Sequence, residues 1–176
     1  MNTVGTPAPA TNYYALFGIE PAFVLDIQVL ERAFRALQRM VHPDQFVGAA
    51  ASAQRLALAE ASLANEAYRT LKSPVERARH LLRLNHIDCD LDSARPSPAF
   101  LMRQMEYHEA LAAAAGNAQA LADFEDELAE STADMVAELA RLLDEQRSYA
   151  EAAALVLHLQ FFERLRVQLD AAFDRL

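Results

Sequence analysis

Apolar residues recur along most of this chain in steps of three and four, interrupted by short stretches without that rhythm, and this spacing predicts helices. Beginning from Asp26, which suits an N-cap, Leu30, Ala33, Phe34, Leu37 and Val41 fall on one face. That helix is expected to stop at His42, because Pro43 disfavours α geometry in the residue before it. A second helical stretch over about 51–71 offers Leu56, Leu63, Ala67 and Tyr68 to the first, so the two predict an antiparallel hairpin. Ser73-Pro74-Val75-Glu76 has the form of a capping box with proline at the first helical position, opening a helix through Leu81, Leu82 and Leu84. Upstream, Tyr13, Tyr14, Leu16 and Phe17 run into Gly18, the pattern of one or two helical turns stopped by glycine.

Residues 86–98 break the rhythm and combine Asp, Ser and two prolines, which marks a domain boundary. Three further helices follow: one capped by Ser97-Pro98 and ended by Gly116, one from Asn117 to about Arg147, and one opened by Ser148 and Glu151 as another capping box. Connections this short join antiparallel neighbours. The expected fold class is therefore all-α: an N-terminal helical hairpin with flanking helices, then a C-terminal three-helix bundle. The expected division is a disordered tail over 1–11, a first domain over 12–85, a linker over 86–97 and a second domain over 98–176. With only four glycines and seven prolines in 176 residues, the composition favours long helices with few turns.

Charge sharpens the picture, because the net −9 is unevenly placed: residues 1–92 hold nine Lys+Arg against ten Asp+Glu, and 93–176 hold seven against fifteen. An acidic second half repels phosphate backbones, so neither nucleic acid nor an anionic membrane is expected as a partner. No apolar run reaches the roughly 18 residues of a membrane span, and the first ten residues lack the basic and apolar regions of a secretory signal. Cys89 is the single cysteine, which excludes an intrachain disulfide and a cysteine-rich zinc site. His80, His86, His108 and His158 show neither an i, i+4 pair nor a Glu-x-x-His arrangement, so no metal site and no cofactor are expected. The acidic run from Asp123 to Glu130 suits a solvated helix face. The chain has no glycine-rich phosphate loop and no nucleophile elbow, and an enzyme is not expected.

Two constellations carry candidate chemistry. At the tip of the predicted hairpin stands His42-Pro43-Asp44, followed by Gln45, and the helix before it carries Arg32, Arg35 and Arg39 within about 60° of one another, opposite the apolar face. A basic stripe ending at a polar turn with a fixed proline φ makes a docking surface for an acidic partner. Taken alone, the arginines equally suit a helix that is merely kept soluble. The second constellation lies in the first helix of the second domain. There Phe100, Tyr107 and Leu111 make a core stripe, while Leu101, Met102 and Met105 fall roughly opposite, interleaved with Glu106 and Glu109. An apolar patch rimmed by carboxylates suits a protein partner, with methionine adapting to its shape. Phe161, at the edge of the last helix's stripe of Leu155, Leu159, Phe162, Leu169 and Phe173, is placed to extend the patch. Packing against the first domain, or self-association, would use the same residues.

The His-Pro-Asp tripeptide in this setting resembles the J-domain family, in which that loop and the basic face before it engage a DnaK-type chaperone and trigger its ATP hydrolysis. The resemblance extends over residues 12–176 to the HscB family of co-chaperones in iron–sulfur cluster assembly. Asn12-Tyr13-Tyr14-Ala15-Leu16-Phe17-Gly18 is similar to that family's opening and Ala99-Phe100-Leu101-Met102-Arg103-Gln104-Met105-Glu106 to its signature. It implies that His42, Pro43, Asp44, Arg32, Arg35 and Arg39 meet an HscA/DnaK-type chaperone ATPase. It further implies that Leu101, Met102, Met105, Glu106, Glu109 and Phe161 bind an IscU-type iron–sulfur scaffold; a bacterial cytoplasm and a mitochondrial matrix both suit that role, and the lack of an Arg-rich presequence favours the cytoplasm. Gln45 departs from the basic residue many J-domains have after the tripeptide, and the cysteine-rich module of some HscB proteins is missing. A J-protein for another client and a non-catalytic helical adaptor remain as alternatives.

Overall fold

The computed structural model describes residues 11–41, 48, 50–87, 89 and 97–176, and among them every regular element is a helix. The chain forms two units, Met1–His86 and Ile87–Leu176. The expected tail, apart from Thr11, and most of the expected linker lie outside the described residues.

The first unit begins with α1, Tyr13–Leu16, capped by Asn12, whose Oδ1 accepts from Tyr14 N at 3.0 Å and Ala15 N at 3.3 Å. Gly18 ends it at φ +64, a conformation that costs glycine nothing. Four residues cannot hold a helix by propensity, so its stability comes from anchoring. Tyr14 is fully buried and donates its hydroxyl to Ala22 O at 2.8 Å. Tyr13 donates its backbone N–H to His80 Nε2 at 3.2 Å and its hydroxyl to Glu66 at 2.7 Å.

Helix α2, Ile27–Val41, is capped as the sequence predicts: Asp26 Oδ1 accepts from Gln28 N at 2.8 Å. It packs on α3, Ala51–Lys72, through Leu30 and Val41 and through Phe34, whose ring stacks on Tyr68 at 4.2 Å. The α3 face turned inward is Ala57, Ala64, Ala67 and Leu71. Leu56, expected to pack there, lies one residue off this seven-residue repeat and is 60% exposed.

Helix α4, Pro74–Leu84, opens where the sequence places it, with Ser73 Oγ accepting from Glu76 N at 3.3 Å. Only half of the capping box forms. Ser73 N bonds Arg69 O at 3.2 Å, and the Glu76 carboxylate pairs instead with Arg79 at 2.8 Å.

The second unit is the expected three-helix bundle of α5, Pro98–Ala114, α6, Ala118–Ala140, and α7, Tyr149–Phe173. Ser97 Oγ caps α5 through Phe100 N at 3.2 Å, and Asn117 Oδ1 caps α6 through Gln119 N at 3.1 Å and Ala120 N at 3.2 Å. Between α6 and α7 the chain adopts a π-helical segment, Arg141–Gln146, that periodicity did not predict. Leu142 and Leu143 of this segment are both buried. Arg147 then reverses the chain at φ +54, and Ser148 N bonds back to Leu142 O at 2.9 Å. Ser148 makes no side-chain cap bond, so the expected capping box at Ser148 and Glu151 does not form; the reversal has already turned the chain.

The bundle core joins Phe100 and Leu111 of α5, Leu121, Phe124 and Leu128 of α6, and Phe161, Phe162, Leu165 and Leu169 of α7. Within the expected linker, Cys89 is buried, and its carbonyl accepts from Gln160 Nε2 of α7 at 2.8 Å. An aperiodic stretch can still pack, and here it satisfies a buried amide that would otherwise be costly.

Candidate functional site

The first constellation begins on the outer side of α2. Leu30, Phe34 and Val41 turn toward the unit's interior, and the same 100° step carries Arg32, Arg35 and Arg39 to the opposite side, where all three are exposed. Arg35 lies 3.7 Å from Glu31, a solvent-facing pair of small energetic weight. Glu31 is also 3.9 Å from Lys72 of α3, so the positive stripe is only partly neutralised. His42, Pro43, Asp44 and Gln45 lie outside the described residues.

The second constellation belongs to α5, which has two apolar sides. Its inner side sets Phe100, Tyr107 and Leu111 into the bundle, with the Tyr107 ring 4.9 Å from Phe162 and 6.3 Å from Phe124. Its outer side presents Leu101 at 46% exposure, Met102 at 65% and Met105 at 63%. Burying the exposed part of each such side chain against a partner would contribute roughly 1 kcal/mol or somewhat more. Glu106 and Glu109 are exposed on the next turns, and the exposed Arg103 lies 4.0 Å from Glu106. The structure thus gathers five of the six sequence-predicted residues on one solvent-facing side of one helix.

Phe161 is the exception and corrects the expectation. It is 5% exposed and belongs to the core, ringed by Phe100 at 6.0 Å, Tyr107 at 6.1 Å and His108 at 5.5 Å. The wheel of α7 treats it as an edge position, but α7 packs against both α5 and α6, so its buried surface is wider than one stripe. Phe161 supports the patch from beneath.

His158, considered from the sequence only as a metal ligand, takes part in a contact that the sequence does not announce. Half-buried on α7, it stacks on Phe100 at 4.4 Å and 11°, and burial together with the nearby Arg103 charge holds its pKa below the ordinary histidine value. No spacing signal could have found it, since the two rings are 58 positions apart. The i, i+3 spacing of Arg103 and Glu106, in contrast, was open to view.

Among the described residues no group of three or more His, Cys, Asp or Glu gathers as a metal site, and Cys89 is buried. None of the described helices is long and apolar enough to cross a membrane. What the geometry offers is recognition: a cationic helix face on one unit and an apolar face edged by carboxylates on the other.

A family profile described as the HSCB C-terminal oligomerisation domain matches residues 96–170. Over 164 residues, 93% of this chain and 96% of the relative, the sequence is 40% identical to the co-chaperone protein HscB homolog of Bordetella petrii. The HscB homolog of Paraburkholderia phymatum is 39% identical over 168 residues, 94% of this chain and 95% of the relative. Among solved structures, chaperone HscB from Vibrio cholerae matches with a TM-score of 0.83 at 34% identity, covering 94% of this chain and 99% of that one. Human co-chaperone protein HscB, 24% identical, shares the fold with a TM-score of 0.87 over 97% of this chain and 86% of that one.

Proposed function

Because the chain belongs to the HscB family of co-chaperones, we propose that it binds an IscU-type iron–sulfur scaffold and delivers it to a specialised DnaK-type (HscA) chaperone, whose ATPase it stimulates. The observation that carries the reading is the outer side of α5: Leu101, Met102 and Met105 stay exposed although the inner side of the same helix already fills the core. A surface that folding does not require is retained for a partner. Glu106 and Glu109 at its edge favour a partner with basic groups around an apolar centre.

On the first unit, His42, Pro43 and Asp44 act as the trigger, and Arg32, Arg35 and Arg39 steer an acidic surface of the chaperone toward it. Holding scaffold and chaperone on one chain raises their effective concentration, which couples client capture to ATP hydrolysis. The protein itself catalyses nothing in this reading, carries no cofactor, and works in the cytoplasm.

The test is steady-state ATP hydrolysis by the cognate chaperone with scaffold present. The native protein stimulates it, and a folded His42→Gln variant loses the stimulation at unchanged scaffold affinity. No stimulation of a demonstrably competent chaperone would sink the proposal. Stimulation without scaffold binding would leave a J-protein for another client. The family's description as an oligomerisation domain favours one further reading, pairing of two copies through this bundle, which sedimentation of the isolated native protein decides.

A further inference from the structure

Along the first half of α5, from Pro98 to Glu106, Phe100 is the one buried residue; the next are Leu111 and Ala114. Before the half-buried Tyr107, the turns that carry Leu101, Met102 and Met105 set one buried ring into the bundle. Two α7 residues grip that ring, His158 stacked on it at 4.4 Å and Phe161 edge-on at 6.0 Å. Phe161 is shared with Tyr107, His108 and Phe162. Among the described residues, the ring contact of His158 is to Phe100 alone.

We infer that His158 is a positioning residue for the client face: by stacking on Phe100 it holds the first turns of α5 in the conformation that presents Leu101, Met102 and Met105 together. The inference rests on the scaffold-binding reading above. Its physical basis is preorganisation, since a face already ordered before contact does not have to be ordered at the expense of affinity. Stacked aromatic pairs are strong enough for the effect to be measurable. The neutral imidazole suits the place, because Arg103 stands nearby and a second positive charge there would be repelled.

The test uses the full chain in three forms, native, His158→Ala and His158→Phe, with scaffold affinity measured by calorimetry and backbone order by amide hydrogen exchange. His158→Ala is expected to weaken binding about five- to tenfold. It should also speed exchange over 100–106 while leaving 121–128 unchanged, and His158→Phe should restore both. Affinity of His158→Ala within about twofold of native, exchange rising equally throughout the bundle, or failure of phenylalanine to rescue would each overturn the positioning role. A native chain that does not bind the scaffold overturns the scaffold reading and this inference with it. Tight native binding that is indifferent to His158 overturns the inference alone.

Discussion

Helices α2 and α5 are each buried along one side and open to solvent along the other, yet they resolve the open side differently. On α2 it carries Arg32, Arg35 and Arg39, which cost nothing to hydrate, with Met40 at 65% and Val29 at 38% as scattered apolar exposures of an ordinary kind. On α5 it carries Leu101, Met102 and Met105 contiguously, rimmed by Glu106 and Glu109. The pairing teaches that amphipathic spacing locates the core but does not by itself locate a site. A second apolar side on a helix whose first side is already satisfied marks a candidate. It also separates two kinds of recognition. A charged side acts at a distance and fades with salt, whereas an apolar side acts on contact and survives it.

The largest effect expected from this contrast comes from emptying the α5 side. Replacing Leu101, Met102 and Met105 together by Ala should weaken scaffold binding a few hundredfold, about 3.5 kcal/mol, because contacts of this kind concentrate binding energy. The melting temperature should move by no more than about 2 °C, since the side chains are exposed. Replacing Arg32, Arg35 and Arg39 together should leave scaffold affinity unchanged. Calorimetry on both triple variants checks the pair, and equal losses would erase the distinction between the two sides.

A second effect, about 2 kcal/mol, is expected in the first unit as pH falls. His80 is buried against Tyr13 and Tyr14, and burial, with Arg83 beside it, pushes its pKa down to about 4 from 6.5. The folded state keeps the ring neutral while the unfolded chain takes up the proton. Its contribution is therefore complete above pH 6.5 and is lost as pH falls toward 4. Protonation also removes the acceptor for Tyr13 N, so α1 should loosen first. His158 is shifted in the same direction, by burial and Arg103, so the second unit loses stability in acid in the same sense. Urea unfolding of native and His80→Gln proteins between pH 7.5 and 4.5 checks this. Parallel pH slopes for the two would remove His80 as the cause.

The smallest effect separates two helix starts within the second unit. Asn117→Ala, which deletes two N-cap hydrogen bonds, should cost about 1 kcal/mol. Ser148→Ala should stay within about 0.5 kcal/mol, because Ser148 makes no such bond. Denaturant midpoints decide it, and a Ser148 cost matching that of Asn117 would mean that its hydroxyl caps α7 in solution.

Much of this architecture was legible before any coordinates. The starts at Asp26, Ser73, Ser97 and Asn117 follow from short polar side chains bonding the next free N–H groups, a local event. The two sides of α5 follow from 3.6-residue periodicity, also local. Less legible were features in which neighbours choose among local options. Glu76 had two partners within reach, the Ser73 backbone and Arg79, and took the arginine. The α6–α7 reversal absorbed a π turn, which periodicity along one helix does not announce. Leu56 missed the core because the packed repeat of α3 runs through its alanines.

By itself the sequence determined the helices, the caps at Asp26, Ser73, Ser97 and Asn117, and the apolar outer side of α5, because each depends on residues a few positions apart. Only tertiary structure decided that Phe161 lies under the patch instead of in it, that His158 lies against Phe100, and that Cys89 is tied to Gln160. Those outcomes depend on how many helices meet a given face, and periodicity along a single helix carries no information about the neighbours that will cover it.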